Sequence, residues 1–203
     1  MEITPTRSAL LEAKDERHVM GEGFRFLDEK RLLLAAEMMR LLERYQKLDQ
    51  SFREIHGEAI SALADGVQRH GLEGVQVQPA QTNDDTTIIQ SERRFFGVRL
   101  VEAEDHPGEV EHPPAVNPSP EVAACREGYE KALAKLSELA VLSGNLRRLL
   151  YEYKRTERRA RALEDVILPE LDGAIHEMDQ RLEEMEQEES VRVRLPGMES
   201  AHL

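Results

Sequence analysis

The chain has 203 residues, of which 40 are Asp or Glu and 27 are Lys or Arg, so its formal net charge is -13. Aromatic residues make up only 4% of it, and tryptophan is absent. This composition argues against a compact enzyme domain built around an aromatic pocket, and it argues against a nucleic-acid groove, which needs clustered Lys and Arg. A long helical or coiled-coil protein is the class that remains.

Cysteine content and hydropathy predict the compartment. Because Cys125 is the only cysteine, no internal disulfide can form, which is typical of a reducing compartment. The first residues, MEITPTRSALLEAKDE, reach charged side chains too early for a signal peptide, and no run of about 18 apolar residues could span a bilayer. We therefore expect a cytoplasmic protein that meets a membrane only through a partner.

Glycine and proline are concentrated in the middle of the chain, and this distribution predicts its organisation. The predicted parts are a first helical arm over 1–66, a small β-hairpin and Pro-rich insert over 67–118, a second helical arm over 119–190 and a C-terminal tail over 191–203.

The first arm has the pattern of a coiled coil. Its helix is predicted to begin at Thr4-Pro5, with threonine as the cap and proline in the first turn. From Leu27 to Ala62, steps of four and three residues reach eleven positions, and all but Arg31 are apolar or aromatic. A spacing that averages 3.5 residues keeps such a stripe facing a partner helix.

The second arm is predicted to begin with Ser119 as its cap and to end near Glu189. The same steps give it a stripe from Ala132 to Met178, with three polar members at Ser143, Glu157 and Glu164. Its apolar members include Leu136, Leu139, Leu146, Leu150 and Tyr153.

Two arms that cannot bury their stripes alone are most simply paired with each other. The predicted fold is all-α, a long antiparallel two-helix coiled-coil hairpin with a small β/loop insert at its far end and both termini at the other end. At about 1.5 Å per residue, each arm would measure roughly 90 to 105 Å. Apolar runs at Val75–Val77, Thr86–Ile89 and Phe95–Val101 predict two or three strands in the insert.

Motifs for catalysis are absent from the sequence. It contains no Gly-rich phosphate loop, paired-cysteine zinc site, nucleophile elbow or His-Glu-x-x-His motif, so we predict no catalytic residue, no cofactor and no metal. The segment His106–His112 has imidazole and carboxylate groups, but its prolines favour an extended surface loop over a metal site. Cys125 could have a lowered pKa near a helix start, although a packing role is favoured without a nearby base.

Charge is segregated along the second arm. Seven cations between Arg147 and Arg161 accompany only two acids, whereas Glu164 to Glu189 contains eleven acids and the single cation Arg181. The arrangement fits either a solvated helix surface or a shaft whose positive and negative sections meet charged rings on a surrounding partner. Pro169 removes a backbone hydrogen bond inside this helix, which predicts a functional bend.

Three motifs resemble a known family. They are Thr4-Pro5-Thr6-Arg7 followed by Leu10-Leu11, the run Gly23–Arg31, and the more specific run Arg158-Arg159-Ala160-Arg161-Ala162-Leu163-Glu164-Asp165-Val166-Ile167-Leu168-Pro169. The sequence resembles the D subunit of the V-type (vacuolar and archaeal-type) ATPases, the central rotor shaft. Asp28 departs from the resemblance, because relatives usually have a basic residue there.

The resemblance implies a non-catalytic protein, peripheral to the membrane, whose terminal end enters a hexamer of alternating A and B subunits. Its opposite end would rest on the C subunit above the membrane ring, and the F subunit would bind its side. Rotation of this shaft would couple ATP synthesis or hydrolysis to ion movement. The resemblance leaves open the transported ion and the direction of the reaction.

The candidate partner-binding residues share a place in the resembling motifs, the charged section or the bend. They are Thr6, Arg7, Arg31, Arg155, Arg158, Arg159, Arg161, Glu164 and Pro169. Arg31 could instead fix the register by reaching Glu157 or Glu164 of the other arm. A prefoldin-like coiled-coil scaffold or chaperone arm is the alternative function, and it would explain the hairpin and the acidity but not the interior proline.

Overall fold

A computed structural model describes residues 6–78, 87–106 and 118–199 of the chain. The elements in chain order are helix α1 (Arg7–Gln76), strand β1 (Thr87–Phe95), strand β2 (Val98–His106), helix α2 (Pro120–Ala162), a π-helical turn (Leu163–Ile167) and helix α3 (Leu168–Glu199). The predicted fold class, long paired helices with a small antiparallel β-hairpin, is confirmed. The chain forms a terminal unit (Met1–Leu33 with Lys154–Leu203) and a central unit (Leu34–Tyr153).

The helix ends differ from the predicted ones. Helix α1 begins after Thr6, whose Oγ1 accepts a hydrogen bond of 3.1 Å from the backbone N–H of Ala9. The predicted start at Thr4-Pro5 lies outside the described residues. Helix α1 is interrupted at Gly71, which has φ 72° and ψ 166°, and its last helical residues run on to Gln76, so Val75 and Gln76 are helical rather than part of a strand. At the other end of the chain, α3 continues past Glu189 to Glu199.

The start of α2 confirms the cap predicted from the sequence. Buried Ser119 accepts a hydrogen bond from the backbone N–H of Val122 at 3.4 Å, and its hydroxyl also donates to Glu121 at 2.8 Å. His70 Nε2 lies 2.8 Å from the same hydroxyl, and Arg69 pairs with Glu121. This network joins the last turns of α1 to the first turn of α2.

The network predicts a pH dependence of stability. Glu121 receives a hydrogen bond from its own backbone N–H and others from Ser119 and Arg69, which lower its pKa to about 2 from an ordinary 4.5. A depressed folded-state pKa stabilises the protein above the unfolded-state value and loses that contribution as pH falls towards 2. Between about pH 5 and pH 3, the free energy of unfolding should therefore fall less in Glu121→Gln than in the parent.

Urea unfolding of the parent and of Glu121→Gln at both pH values measures this difference. Other carboxylates of the protein also take up protons in this range, and comparison with the variant separates Glu121 from them. Equal slopes in the two proteins would show that the Glu121 network contributes nothing to acid sensitivity.

Helices α1 and α2 run antiparallel in the central unit, and the predicted stripe of α1 is confirmed. Each stripe position from Leu27 to Ala62 is buried or half-buried. Across the pair, Gly128 lies so close to Ala59 that a Cβ at this glycine would be 2.8 Å from the alanine Cβ. A larger residue at 128 would push the helices apart.

The stripe of α2 differs from the predicted one in every second member. Leu139 and Leu146 are buried or half-buried as expected, but Leu150 is 40% exposed while its neighbour Leu149 is fully buried. Leu142 is likewise buried beside half-buried Ser143. From each correctly predicted member, the next buried residue is therefore three positions later and the following one four positions after that. The prediction has the spacings in the opposite order. The polar residues that interrupt the predicted stripe lie beside the buried one.

The sequence predicts that the insert lies beyond the ends of the helices. In the structure, the insert packs against the helices instead. Its strands pair with Phe95 opposite Val98 and Arg93 opposite Leu100. Because alternate strand residues point to the same face, Val98 and Leu100 both enter the core. They form one buried cluster with Leu34, Leu41, Leu142 and Leu149 from the two helices.

A buried amide fastens the hairpin to α2. The side chain of Asn145 accepts a hydrogen bond of 2.9 Å from the N–H of Val101 and donates one of 2.7 Å to its C=O. These are the two bonds that another strand would make at this position. Asn145 thus pairs the free edge of β2 and satisfies its own polar groups away from water.

Candidate functional site

The nine predicted partner-binding residues all lie in the terminal unit. Within this unit the first and last helices pair antiparallel through ion pairs. Arg7 and Glu186 approach to 2.5 Å, and Arg17 and Asp172 to 2.9 Å. Both pairs are exposed and are expected to add little stability. Hydrogen bonding and charge attraction from Glu186 raise the pKa of Arg7, so its guanidinium stays charged.

Two candidates near the start of the chain have local roles. Thr6 caps α1 through its side chain and its backbone, whose C=O accepts a hydrogen bond of 3.0 Å from Leu10. Arg31 forms an ion pair of 2.6 Å with Asp28, one turn earlier on the same helix. The ion-pair partner observed for Arg31 is thus Asp28 rather than Glu157 or Glu164, the two alternatives on the other arm. A carboxylate three residues away holds a guanidinium with less loss of side-chain entropy than a partner across the helices.

The basic collar, defined as Arg155, Arg158, Arg159 and Arg161, faces solvent. Thr156 and Ala160, which are almost fully buried, mark the opposite side of the same helix. Arg161 pairs with Glu157 at 2.8 Å, and Arg158 donates to the backbone C=O of Lys154. Neither Arg155 nor Arg159 has an ion-pair partner among the described residues. The collar contributes charge to the surface and no packing to the seam, the buried stripe between the two helices.

The π-helical turn lies directly before Leu168-Pro169. In it the N–H of Leu168 donates to the C=O of Leu163, five residues back. An α-helical proline loses a hydrogen bond and its ring clashes with the C=O four residues earlier. The wider π turn is one way for a helix to accommodate that defect, and such turns are frequent at functional sites. Both Glu164 and Pro169 are exposed on this segment.

The π turn also shifts the seam by one residue. Regular steps of three and four beyond Thr156, Ala160 and Leu163 would place Glu170, Glu177 and Arg181 against α1. The residues observed there lie one position later than regular steps would place them. They are half-buried and all apolar: Leu168, Leu171, Ile175, Met178 and Leu182. One extra residue in the turn thus keeps the apolar side of α3 against its partner helix. Leu163 and Gly23 meet on this seam, where a glycine Cβ would lie 4.0 Å from the leucine Cδ1.

An apolar groove in the central unit was not predicted from the sequence. It has a volume of about 290 Å³ and is lined by Met38, Met39, Leu42, Tyr45, Ser143, Leu146, Arg147 and Leu150. Met39 is 66% exposed and Leu42 is 38% exposed, although neither belongs to the α1 stripe. Their position beside stripe residue Met38 widens the apolar surface beyond what a two-helix seam needs. Adjacent apolar residues flanking a stripe are the signal that could have revealed it.

Cys125 and the histidine-containing segment are the remaining candidates for chemistry. Burial raises the pKa of the Cys125 thiol, which agrees with a packing role. Residues 107–112 of the histidine-containing segment lie outside the described residues. No helix among the described residues is both long enough and apolar enough to cross a membrane.

Comparison with known proteins identifies the family. The family model described as the ATP synthase D subunit matches residues 9–195. The D subunit of the V-type ATP synthase of Thermotoga neapolitana is 28% identical over 197 residues, covering 96% of each chain. The D subunit of the V-type ATP synthase of Anaeromyxobacter dehalogenans is 32% identical over 201 residues, covering 93% of this chain and 92% of the relative. The D subunit of the A-type ATP synthase of Methanopyrus kandleri is 27% identical, covering 95% of this chain and 84% of the relative. The chain therefore belongs to the ATP synthase D subunit family.

Proposed function

We propose that the chain is the central-stalk rotor subunit of a V-type ATPase or ATP synthase. It has no catalytic role of its own and mechanically couples ATP synthesis or hydrolysis in the A/B hexamer to ion translocation through the membrane ring. The observation that carries this proposal is the outward-facing basic collar on a helix whose opposite side, marked by Thr156 and Ala160, is buried in the seam. Such a helix pair transmits force through its packing and leaves its charges for partners.

The charge distribution supports contact with an encircling partner. The collar faces outward, and further along the same arm of the helix pair, α3 exposes acids that include Glu170, Glu177 and Glu183. Exposed guanidinium groups form oriented, charge-assisted hydrogen bonds with carboxylates. Opposite charges in successive rings of the hexamer would hold the terminal unit in defined angular positions.

The other proposed partners follow from the resemblance. The F subunit would bind the side of the shaft, and the apolar groove around Met39 and Leu42 offers it a surface that a partner helix could cover. The C subunit would connect the shaft to the membrane ring. The protein would then be cytoplasmic and would reach the membrane only through these partners.

Charge reversal of the collar tests the proposal. The triple variant Arg158→Glu, Arg159→Glu, Arg161→Glu should retain its helicity and most of its stability, because exposed charges each contribute less than about 1 kcal/mol. Co-purification with reconstituted A and B subunits should fall at least tenfold, on the order of 1.4 kcal/mol or more of binding free energy. Circular dichroism and quantitative pull-down measure the two effects.

A matched control reverses three exposed cations of the central unit, Lys47→Glu, Arg53→Glu and Lys131→Glu, each of which pairs with an acid four residues away on its own helix. This control should assemble as the parent does. Normal assembly and normal ATP-driven coupling of the collar variant would contradict the proposed contact and leave the collar as a solvated surface.

A further inference from the structure

We propose that the cleft between the β-hairpin and α2 binds a short acidic segment of a neighbouring protein, whose carboxylates meet Arg99, Arg147 and Arg148. The cleft has a volume of about 540 Å³ and lies wholly within the central unit. Its lining comprises Glu92, Gly97, Val98, Arg99 and Val101 from the hairpin with Arg147, Arg148, Tyr151 and Glu152 from α2.

Two arginines of the hairpin lie at positions where their charges lower its stability. Arg94 and Arg99 are directly opposite each other in the strand register, and both are exposed. They share the face away from the core, because Phe95, Val98 and Leu100 occupy the other face. Like charges directly opposite one another destabilise a strand pair. Among the described residues neither arginine has an anionic partner, so a bound anion would relieve this repulsion.

The turn between the strands adds an exposed aromatic side chain to this end of the hairpin. Phe96 has φ 46° and Gly97 has φ 85°, so both residues are in the left-handed region. A two-residue hairpin loop of this kind has positive φ at both positions, which glycine tolerates and a bulky residue adopts at a cost. The side chain of Phe96 is 43% exposed, two residues along the chain from Arg94. An apolar side chain of a docked segment can pack there.

The helix side of the cleft is already positioned. Arg148 donates a hydrogen bond of 3.0 Å to the Oδ1 of Asn145, the buried residue that also fastens β2. Its guanidinium is therefore held in place before any ligand binds, which reduces the entropy lost on binding. Tyr151, which is 67% exposed, adds a flat amphipathic surface beside it.

The surroundings favour a peptide over other polyanions. A net charge of -13 repels nucleic acids and anionic membranes at long range. Glu92 and Glu152 also line the cleft, and they oppose a dense phosphate array while tolerating a segment of mixed composition. Arginine forks match carboxylates in paired hydrogen bonds, which suits aspartate or glutamate side chains.

Fluorescence anisotropy with a labelled six-residue peptide that alternates glutamate with leucine, together with the full chain, tests the proposal at low salt. Saturable binding is expected for the parent, with a loss of at least about tenfold in Arg99→Glu, Arg147→Glu. The control Lys47→Glu, Arg53→Glu should bind as the parent does. The milder variant Arg99→Gln, Arg147→Gln should also lose affinity, which keeps the test valid if charge reversal disturbs folding. Equal binding by the parent and both cleft variants would overturn the proposal.

Two further readouts separate this site from a structural role and from other ligands. Arg94→Glu should raise the Tm of the isolated chain, because it removes the cross-strand repulsion. It should also weaken peptide binding, because the new carboxylate lies opposite Arg99 and competes with the carboxylates of the peptide. A lower Tm with unchanged binding would make the arginine pair structural and would contradict the proposal. Tighter binding of single-stranded oligothymidine, lost in the same cleft variants, would reassign the site to nucleic acid. All these measurements use the isolated chain. Their outcome therefore does not depend on whether the hexamer assembles in the collar experiment.

Discussion

Replacement of Leu149 by alanine is expected to destabilise the central unit by about 3 kcal/mol, within the range found for buried leucines. The Leu149 side chain is fully buried in the cluster that joins both helices to the β-hairpin. Its truncation leaves a cavity between three elements that cannot all close around it. Urea unfolding followed by circular dichroism measures the loss.

The adjacent residue provides the control. Leu150→Ala removes the same atoms from a side chain that is 40% exposed, so the loss should stay below about 1 kcal/mol. The stripe predicted from the sequence, which includes Leu150 and omits Leu149, requires the opposite order. A larger loss in Leu150→Ala than in Leu149→Ala would contradict the observed packing of α2.

Deletion of Asp165 is expected to destabilise the terminal unit by about 3 kcal/mol or more, the usual cost of a proline inside an α-helix. The deletion removes the extra residue of the π turn and returns the segment to α-helical spacing. The ring of Pro169 then meets the C=O four residues before it, as in any α-helix interior. The apolar residues Leu168, Leu171 and Ile175 keep their places on the seam, so the proline alone accounts for the loss.

A double-mutant cycle isolates that effect. Adding Pro169→Ala to the Asp165 deletion should recover the lost stability to within about 1 kcal/mol. Pro169→Ala by itself should change stability little, because the full-length turn is still needed to keep Leu171 and Ile175 on the seam. Urea unfolding of all four proteins measures the coupling. A deletion variant as stable as the parent, or one that Pro169→Ala fails to rescue, would show that the π turn does not accommodate the proline.

The accuracy of the sequence prediction varied with how clearly residue type separates buried from exposed positions. On α1, charged residues flank most of the stripe, so its register was predicted correctly. On α2, Leu149 and Leu150 are adjacent and chemically identical. Residue type could not decide between them, and the hairpin, which packs on Leu142 and Leu149, determines which one is buried.

The hairpin itself shows a different limit. The run Phe95–Val101 has the composition of one strand, yet it contains a turn at Phe96-Gly97. Phenylalanine in a left-handed conformation is not a turn signal that sequence rules recognise. The place of the hairpin beside the helices depends on which surfaces meet in three dimensions, and the composition of its strands does not specify that.

The candidate site was partly predictable. Successive helical residues are separated by about 100°, so Arg158, Arg159 and Arg161 cannot all face the seam, and all three are exposed. The sequence leaves the partner of Arg31 open, and the structure pairs it with Asp28, the residue that departs from the family pattern. Pro169 indicates a defect in the helix. The one-residue shift of the apolar positions after it is the sequence pattern that predicts a π turn.

Single-molecule observation of rotation tests the central claim most directly. A bead can be attached through Ser61→Cys, an exposed position, in a Cys125→Ser background, and the A/B hexamer assembled around the chain can be fixed to a surface. On addition of ATP, we predict unidirectional, stepwise rotation of the bead, and stalling in the collar variant. Continued ATP hydrolysis by a correctly assembled complex with the bead at a fixed angle would contradict the assignment of this chain as the rotor.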